Sequence, residues 1–175
     1  MMVPAMSDYV AVRDEPRHRH RFENDYARVY DVQLPPGDTT LFHAHTEDTL
    51  YVSIAAAHVN DQTYGEDSSN AVNVPAGIAI CRPHRTEPLI HRVTNVGDEN
   101  MRMIGIEAKQ SPPQVSAQPL DVISHTVSWE NDRIRIYRFS LEPGAAVRNL
   151  TYEFPCANPE VCGLLWQKTH TGCSS

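Results

Sequence analysis

The sequence predicts an all-β fold, a sandwich or barrel built from many short strands. Three observations carry that prediction. Apolar and polar residues alternate with a period of two, the alternating runs are short and recur along the chain, and Asn, Gly, Asp or Pro closes each run. No stretch of about a dozen residues sustains the i, i+3, i+4, i+7 stripe of an amphipathic helix.

The elements follow in order. Residues 28–34 place Tyr30, Val32 and Leu34 on one face and Val29, Asp31 and Gln33 on the other. A Pro35-Pro36-Gly37 turn comes next, then His43-Ala44-His45. Residues 49–59, 70–77, 89–97 and 101–108 read as further strand runs, with an irregular stretch over 78–88. Residues 109–119 are polar and proline-rich and read as a linker. Beyond it Tyr137, Phe139 and Leu141 share one face of another strand.

With 175 residues the chain suits one domain plus an appendage. A formal charge of −7 argues against nucleic acid or an anionic membrane as the main partner. No apolar run approaches the ~18 residues of a membrane-crossing helix. The first sixteen residues lack the apolar core of a signal peptide, so a cytoplasmic protein is expected. Cys81, Cys156, Cys162 and Cys173 form no CxxC pair, which suits reduced thiols in that compartment.

His43 and His45 carry the first chemical signal. Side chains at i and i+2 of a strand share a face, so one strand presents two imidazoles side by side, as a metal ion requires. Arg17-His18-Arg19-His20-Arg21 contains a second such pair. There three interleaved arginines would repel a cation, and a solvated basic strand edge is expected. Cys81 and His84 form a single pair without a partner pair and read as incidental. Arg85 and Glu87 read as a solvated loop face, and His58, His125 and His170 stand alone.

Gly37, five residues, then His43-Ala44-His45 resembles the first cupin motif. Pro75-Ala76-Gly77, followed by His91 and Asn95, resembles the second. The resemblance covers roughly residues 23–107. It implies a double-stranded β-helix, or jelly roll, holding a metal or small ligand in the barrel mouth. It also supplies His91 as the third metal ligand beside His43 and His45. Two departures stand out. The family's glutamate ligand is missing, because Thr49 and Leu50 occupy its place while Glu47 and Asp48 fall one or two residues early. A one-residue slip reverses a strand side chain's face, so Asp48 points away unless a bulge re-aims it. The stretch between Gly77 and His91 is also longer than usual and reads as an inserted loop.

Residues 23–37 and 130–144 match at 8 of 15 positions with a constant offset of 107. This resembles a bicupin. At that offset His43 falls on Leu150 and His45 on Tyr152, so the second copy lacks the ligand pair. The expected organisation is an N-terminal segment 1–22, a cupin domain 23–108, a linker 109–120 and a truncated second unit 121–175. Extra strands from that incomplete repeat would pair at an edge of the first barrel or join two chains as a homodimer.

Three imidazoles suit a divalent transition metal, Fe(II) first, with Zn, Mn, Ni and Cu as alternatives. The expected function is a metal-dependent, dioxygenase-like enzyme acting on a small polar or anionic molecule. His43, His45 and His91 would hold the metal, and Tyr51, Ser53 and Thr49 would face the substrate. The alternatives are a non-catalytic ligand-binding or sensor cupin and an inactive relic of a bicupin.

Overall fold

A computed structural model describes residues 8–111 and 126–138. Two five-stranded sheets contain β1 (Val10–Ala11), β2 (His18–Glu23), β3 (Ala27–Leu34), β4 (His43–His45), β5 (Asp48–Ser53), β6 (Ala57–Thr63), β7 (Asn70–Val74), β8 (Ala79–Arg82), β9 (Leu89–Asn95) and β10 (Met101–Ala108). One sheet runs β1-β4-β9-β6-β7 and the other β2-β3-β10-β5-β8. The strands from β3 to β10 are paired like a hairpin folded onto itself. β3 lies beside β10, β4 beside β9, β5 beside β8 and β6 beside β7. This nesting is the jelly-roll arrangement, in which each link from one sheet to the other closes a Greek key.

The period-two alternation sets the core. Tyr30, Val32 and Leu34 of β3 point inward and are buried, and β10 supplies Met101 and Met103 on the same face. Val59 of the facing sheet packs against Leu34 and Met101, so this cluster joins the two layers. Gly105 stands opposite both Tyr30 and Tyr51, and a side chain there would occupy the space of the Tyr30 ring. Among the described residues no helix is long and apolar enough to cross a membrane.

Three sequence expectations change. Residues 10–11 and 18–22 of the expected N-terminal segment belong to the two sheets: β1 runs parallel to β4 at one sheet edge, and β2 pairs with β3 at the edge of the other. The run 49–59 is two strands in different sheets, β5 and β6, broken at 54–56. The stretch 78–88 is only partly a loop, because Ala79–Arg82 form β8 against β5. Its remainder is a tight turn in which Pro83 O accepts the Thr86 and Glu87 amides.

The compact unit holding both sheets ends at Lys109, and a second unit begins at Gln110. Within the second unit, β11 (Thr126–Glu130) and β12 (Arg135–Arg138) form a hairpin that reproduces β2–β3 at the 107-residue offset. The register shift between His20 and Phe22 recurs between Val127 and Trp129. Asn24 Oδ1 caps the first turn by accepting from Tyr26 N and Ala27 N, and Asn131 Oδ1 accepts from Arg133 N and Ile134 N. The Arg28–Glu23 ion pair at 3.0 Å has its counterpart in Arg135–Glu130 at 2.6 Å. The repeat is therefore one of backbone geometry as well as of letters. The expected ligand-pair replacements Leu150 and Tyr152 lie outside the described residues.

Candidate metal centre

The site is built where four elements bring imidazoles into the barrel interior. His43 and His45 lie one residue apart on β4, both 1% exposed. β9 runs antiparallel beside them and sets His91 directly opposite His43. β2 begins at His18, which is buried, and His84 is buried in the turn after β8. From the His43 ring, the centroids of His18, His91 and His45 lie at 4.6, 4.7 and 4.9 Å.

Hydrogen bonding leaves one nitrogen available on the rings of His18, His43, His45 and His91. His43 Nδ1 is 2.8 Å from Leu41 O, His18 Nδ1 is 2.8 Å from Glu15 Oε2, and His91 Nδ1 is 2.8 Å from Asp61 Oδ1. A carbonyl or carboxylate only accepts, so each Nδ1 carries a proton, and in the neutral ring Nε2 keeps the lone pair. His45 reaches the same tautomer through a relay. Glu87 O accepts from His84 Nδ1, leaving His84 Nε2 to accept from the Tyr51 hydroxyl at 3.0 Å. The Tyr51 oxygen then accepts from His45 Nδ1 at 3.1 Å. His43 Nε2 is fully buried and has no hydrogen-bond partner among the described residues.

The electrostatics match. Burial, with the neighbouring charges of His18 and His91, pulls the His43 pKa down to about 3. Burial and the surrounding histidines hold His45 well below its ordinary value, and burial lowers His84 as well. These rings are neutral at physiological pH, the state in which imidazole binds a metal. Burial alone would push the Glu15 carboxyl up. The His18 bond and charge, with the Leu41 and Arg17 amides, outweigh it and lower the pKa.

His18, His43 and His45 form a triplet whose ligand atoms all lie within 4.8 Å of one another. His91, expected as the third ligand, stands beside that triplet, its ring 5.2 Å from that of His45. The reading of 17–21 as a solvated basic edge is corrected for His18. The arginine charges are met by acceptors instead, with Arg17 also 3.6 Å from Glu15. Arg17 pairs with Asp38, Arg21 with Asp31, and Arg19 donates to Gln33. His20 is exposed as expected, since only the start of this edge strand is covered. The spacing shared with His43 and His45 was the signal for His18. Glu15 and His84 sit in turns and had no comparable signal.

The remaining candidates divide by strand face. Tyr51 reaches His45 and His84. Thr49 and Ser53, buried on the same face, donate their hydroxyls to Glu47 O and Ala55 O. Asp48 lies on the opposite face with Leu50 and accepts from the Arg85 amide. Cys81 pairs with Leu50 on that opposite face, and burial raises its thiol to about 11.

Eight nested strands, with a two-histidine strand laid beside a strand that sets a third histidine opposite, decide the architecture. The chain has the cupin fold. No family model matches the sequence, and no curated protein matches it. Solved structures similar to this chain include a cupin domain from Bordetella pertussis Tohama I, 25% identical, covering 53% of this chain and 92% of its own, with a TM-score of 0.48. A conserved protein with a double-stranded β-helix domain from Klebsiella pneumoniae is 18% identical, covers 55% and 78% of the two chains and scores 0.41. An RmlC-like cupin family protein from Methanocaldococcus jannaschii is 9% identical, covers 62% and 86% and scores 0.43.

Proposed function

We propose that this cupin is a metal-dependent enzyme, dioxygenase-like, acting on a small polar or anionic molecule at an all-histidine site. One observation carries the reading: the buried, unpartnered Nε2 of His43, with three more imidazoles around its ring. A buried acceptor without a partner needs an explanation, and four clustered imidazoles are a poor apolar core. The donor set fits a divalent transition metal, with Fe(II) favoured and Zn, Mn, Ni or Cu as alternatives. His43, His45 and His91 would hold the ion, with His18 as a further donor. When bound, the metal would supply Lewis acidity or one-electron chemistry toward O2.

The chain's own residues supply the rest. Glu15, Leu41 O and Asp61 hold three rings in the tautomer that turns Nε2 inward. Tyr51 stands at the ligand His45 and is the candidate group to meet substrate, while Thr49 and Ser53 shape the wall beside it. A donor set of imidazoles puts no carboxylate on the cation itself, with Glu15 and Asp61 reaching it only through His18 and His91, which favours anionic or chelating substrates.

The test is oxygen uptake by Fe(II)-reconstituted protein offered a panel of small carboxylates and thiols. Uptake that needs one of these compounds and disappears in His45→Ala is expected. A loaded protein that consumes no oxygen with any of them, yet binds some, is a ligand-binding cupin, and the dioxygenase reading fails.

A further inference from the structure

Asp48 falls one residue short of the place where the resemblance expects a glutamate ligand. Its side chain lies on the opposite strand face from Tyr51, yet it is 1% exposed. Its Oδ1 accepts the Arg85 amide at 3.2 Å, and its Oδ2 lies 3.8 Å from Arg85 Nε. Arg85 belongs to the 83–87 turn, closed by the Thr86 and Glu87 amides on Pro83 O at 3.0 and 2.9 Å. That turn carries His84, only 5% exposed, with its ring stacked on His45 at 5.2 Å and 28°. Both ends of the His84 ring are occupied, Nδ1 by Glu87 O and Nε2 by the Tyr51 hydroxyl.

We propose that Asp48 and His84 are positioning residues that act through Tyr51 to fix His45 with its proton on Nδ1 and its Nε2 free for a ligand. The role rests on the reading of His45 as a metal ligand. The carboxylate that cannot ligate from its strand face instead anchors the turn that orients the ligand. Without His84 the Tyr51 hydroxyl is free to donate to His45 Nδ1, which moves the ring proton to Nε2 and blocks the metal-facing nitrogen. The wild-type relay prevents this because His84 Nε2 takes the Tyr51 proton.

The test has two arms on the full chain. Long-range 1H–15N correlation spectra of metal-free protein report which nitrogen of each histidine is protonated. Wild type should show His45 protonated on Nδ1. His84→Ala and Tyr51→Phe should shift it toward the Nε2–H form, and His84→Gln, which keeps an acceptor for Tyr51, should retain the wild-type pattern. Asp48→Leu should give a partial shift. The second arm titrates Co(II), read from its visible spectrum. His84→Ala and Tyr51→Phe should weaken affinity by about ten- to a hundredfold, with added imidazole restoring it in His84→Ala. An unchanged His45 tautomer in both His84→Ala and Tyr51→Phe overturns the positioning role, and should His84→Ala fail to fold, Tyr51→Phe alone decides. Wild type with the expected tautomer but no Co(II) uptake overturns the metal reading instead.

Discussion

His43 on β4 and His91 on β9 face each other directly in the antiparallel ladder, their ring centroids 4.7 Å apart. Both Nδ1 atoms are tied to acceptors, Leu41 O and Asp61 Oδ1. Two rings so placed cannot both carry a charge without strong mutual repulsion.

This pairing gives a pH dependence. The His43 pKa is about 3 in the folded protein against an ordinary 6.5, through burial first and then the charges of His18 and His91. The unfolded chain therefore binds more protons between those values, so stability is full above pH 6.5 and falls as pH drops toward 3. Metal-free protein should show a thermal midpoint that decreases steadily through this window, and His43→Leu should show a shallower decrease. A wild-type midpoint constant from pH 6.5 to 4.5 would contradict the burial of neutral rings.

The reading of β4 from sequence succeeded because a strand's period of two places His43 and His45 on one face whatever surrounds them. His18 has the same spacing with His20, yet charge counted along the chain hid it. Counted by partner, the arginines of that stretch are held by Asp38, Asp31 and Gln33, with Glu15 also beside Arg17. The strands of the jelly roll were readable for the same periodic reason. β1 was not, because two residues carry no period and its pairing with β4 is parallel and distant in sequence. The Asp48 anchor and the His84 relay depend on a turn, where side-chain direction follows backbone geometry rather than spacing.

Asn95 closes the His91 strand from a fully buried position. Its Nδ2 donates to Leu34 O and Glu99 O at 2.8 Å each, and its Oδ1 accepts from Gly97 N at 3.0 Å. Asn95→Ala orphans these groups at about 1–3 kcal/mol for each one left buried. Asn95→Asp is expected to be at least as damaging, since it turns a donor into an acceptor against two carbonyls. Denaturant unfolding measures both, and a loss under about 0.5 kcal/mol for Asn95→Ala would refute the bonding described.

Gly105 is required by its neighbour. A Cβ there would stand within the ring of Tyr30, itself 1% exposed and packed in the core with Val12 and Val32. Gly105→Ala should lower stability by about 1–3 kcal/mol or more, the scale of core overpacking. Gly105→Ala with Tyr30→Leu should be less destabilised than the sum of the two single variants, since the smaller side chain vacates the space. Additive losses in a double-mutant cycle would show that the two positions do not meet.

The metal centre is the central claim, and elemental analysis of purified protein reaches it most directly. The wild-type chain, as isolated or after reconstitution with Fe(II), Mn(II), Ni(II) or Zn(II), should carry up to about one transition-metal equivalent, with His43→Ala abolishing it and His18→Ala or His91→Ala reducing it by about tenfold or more in affinity. Wild-type protein that remains metal-free after reconstitution with all four ions would contradict the account.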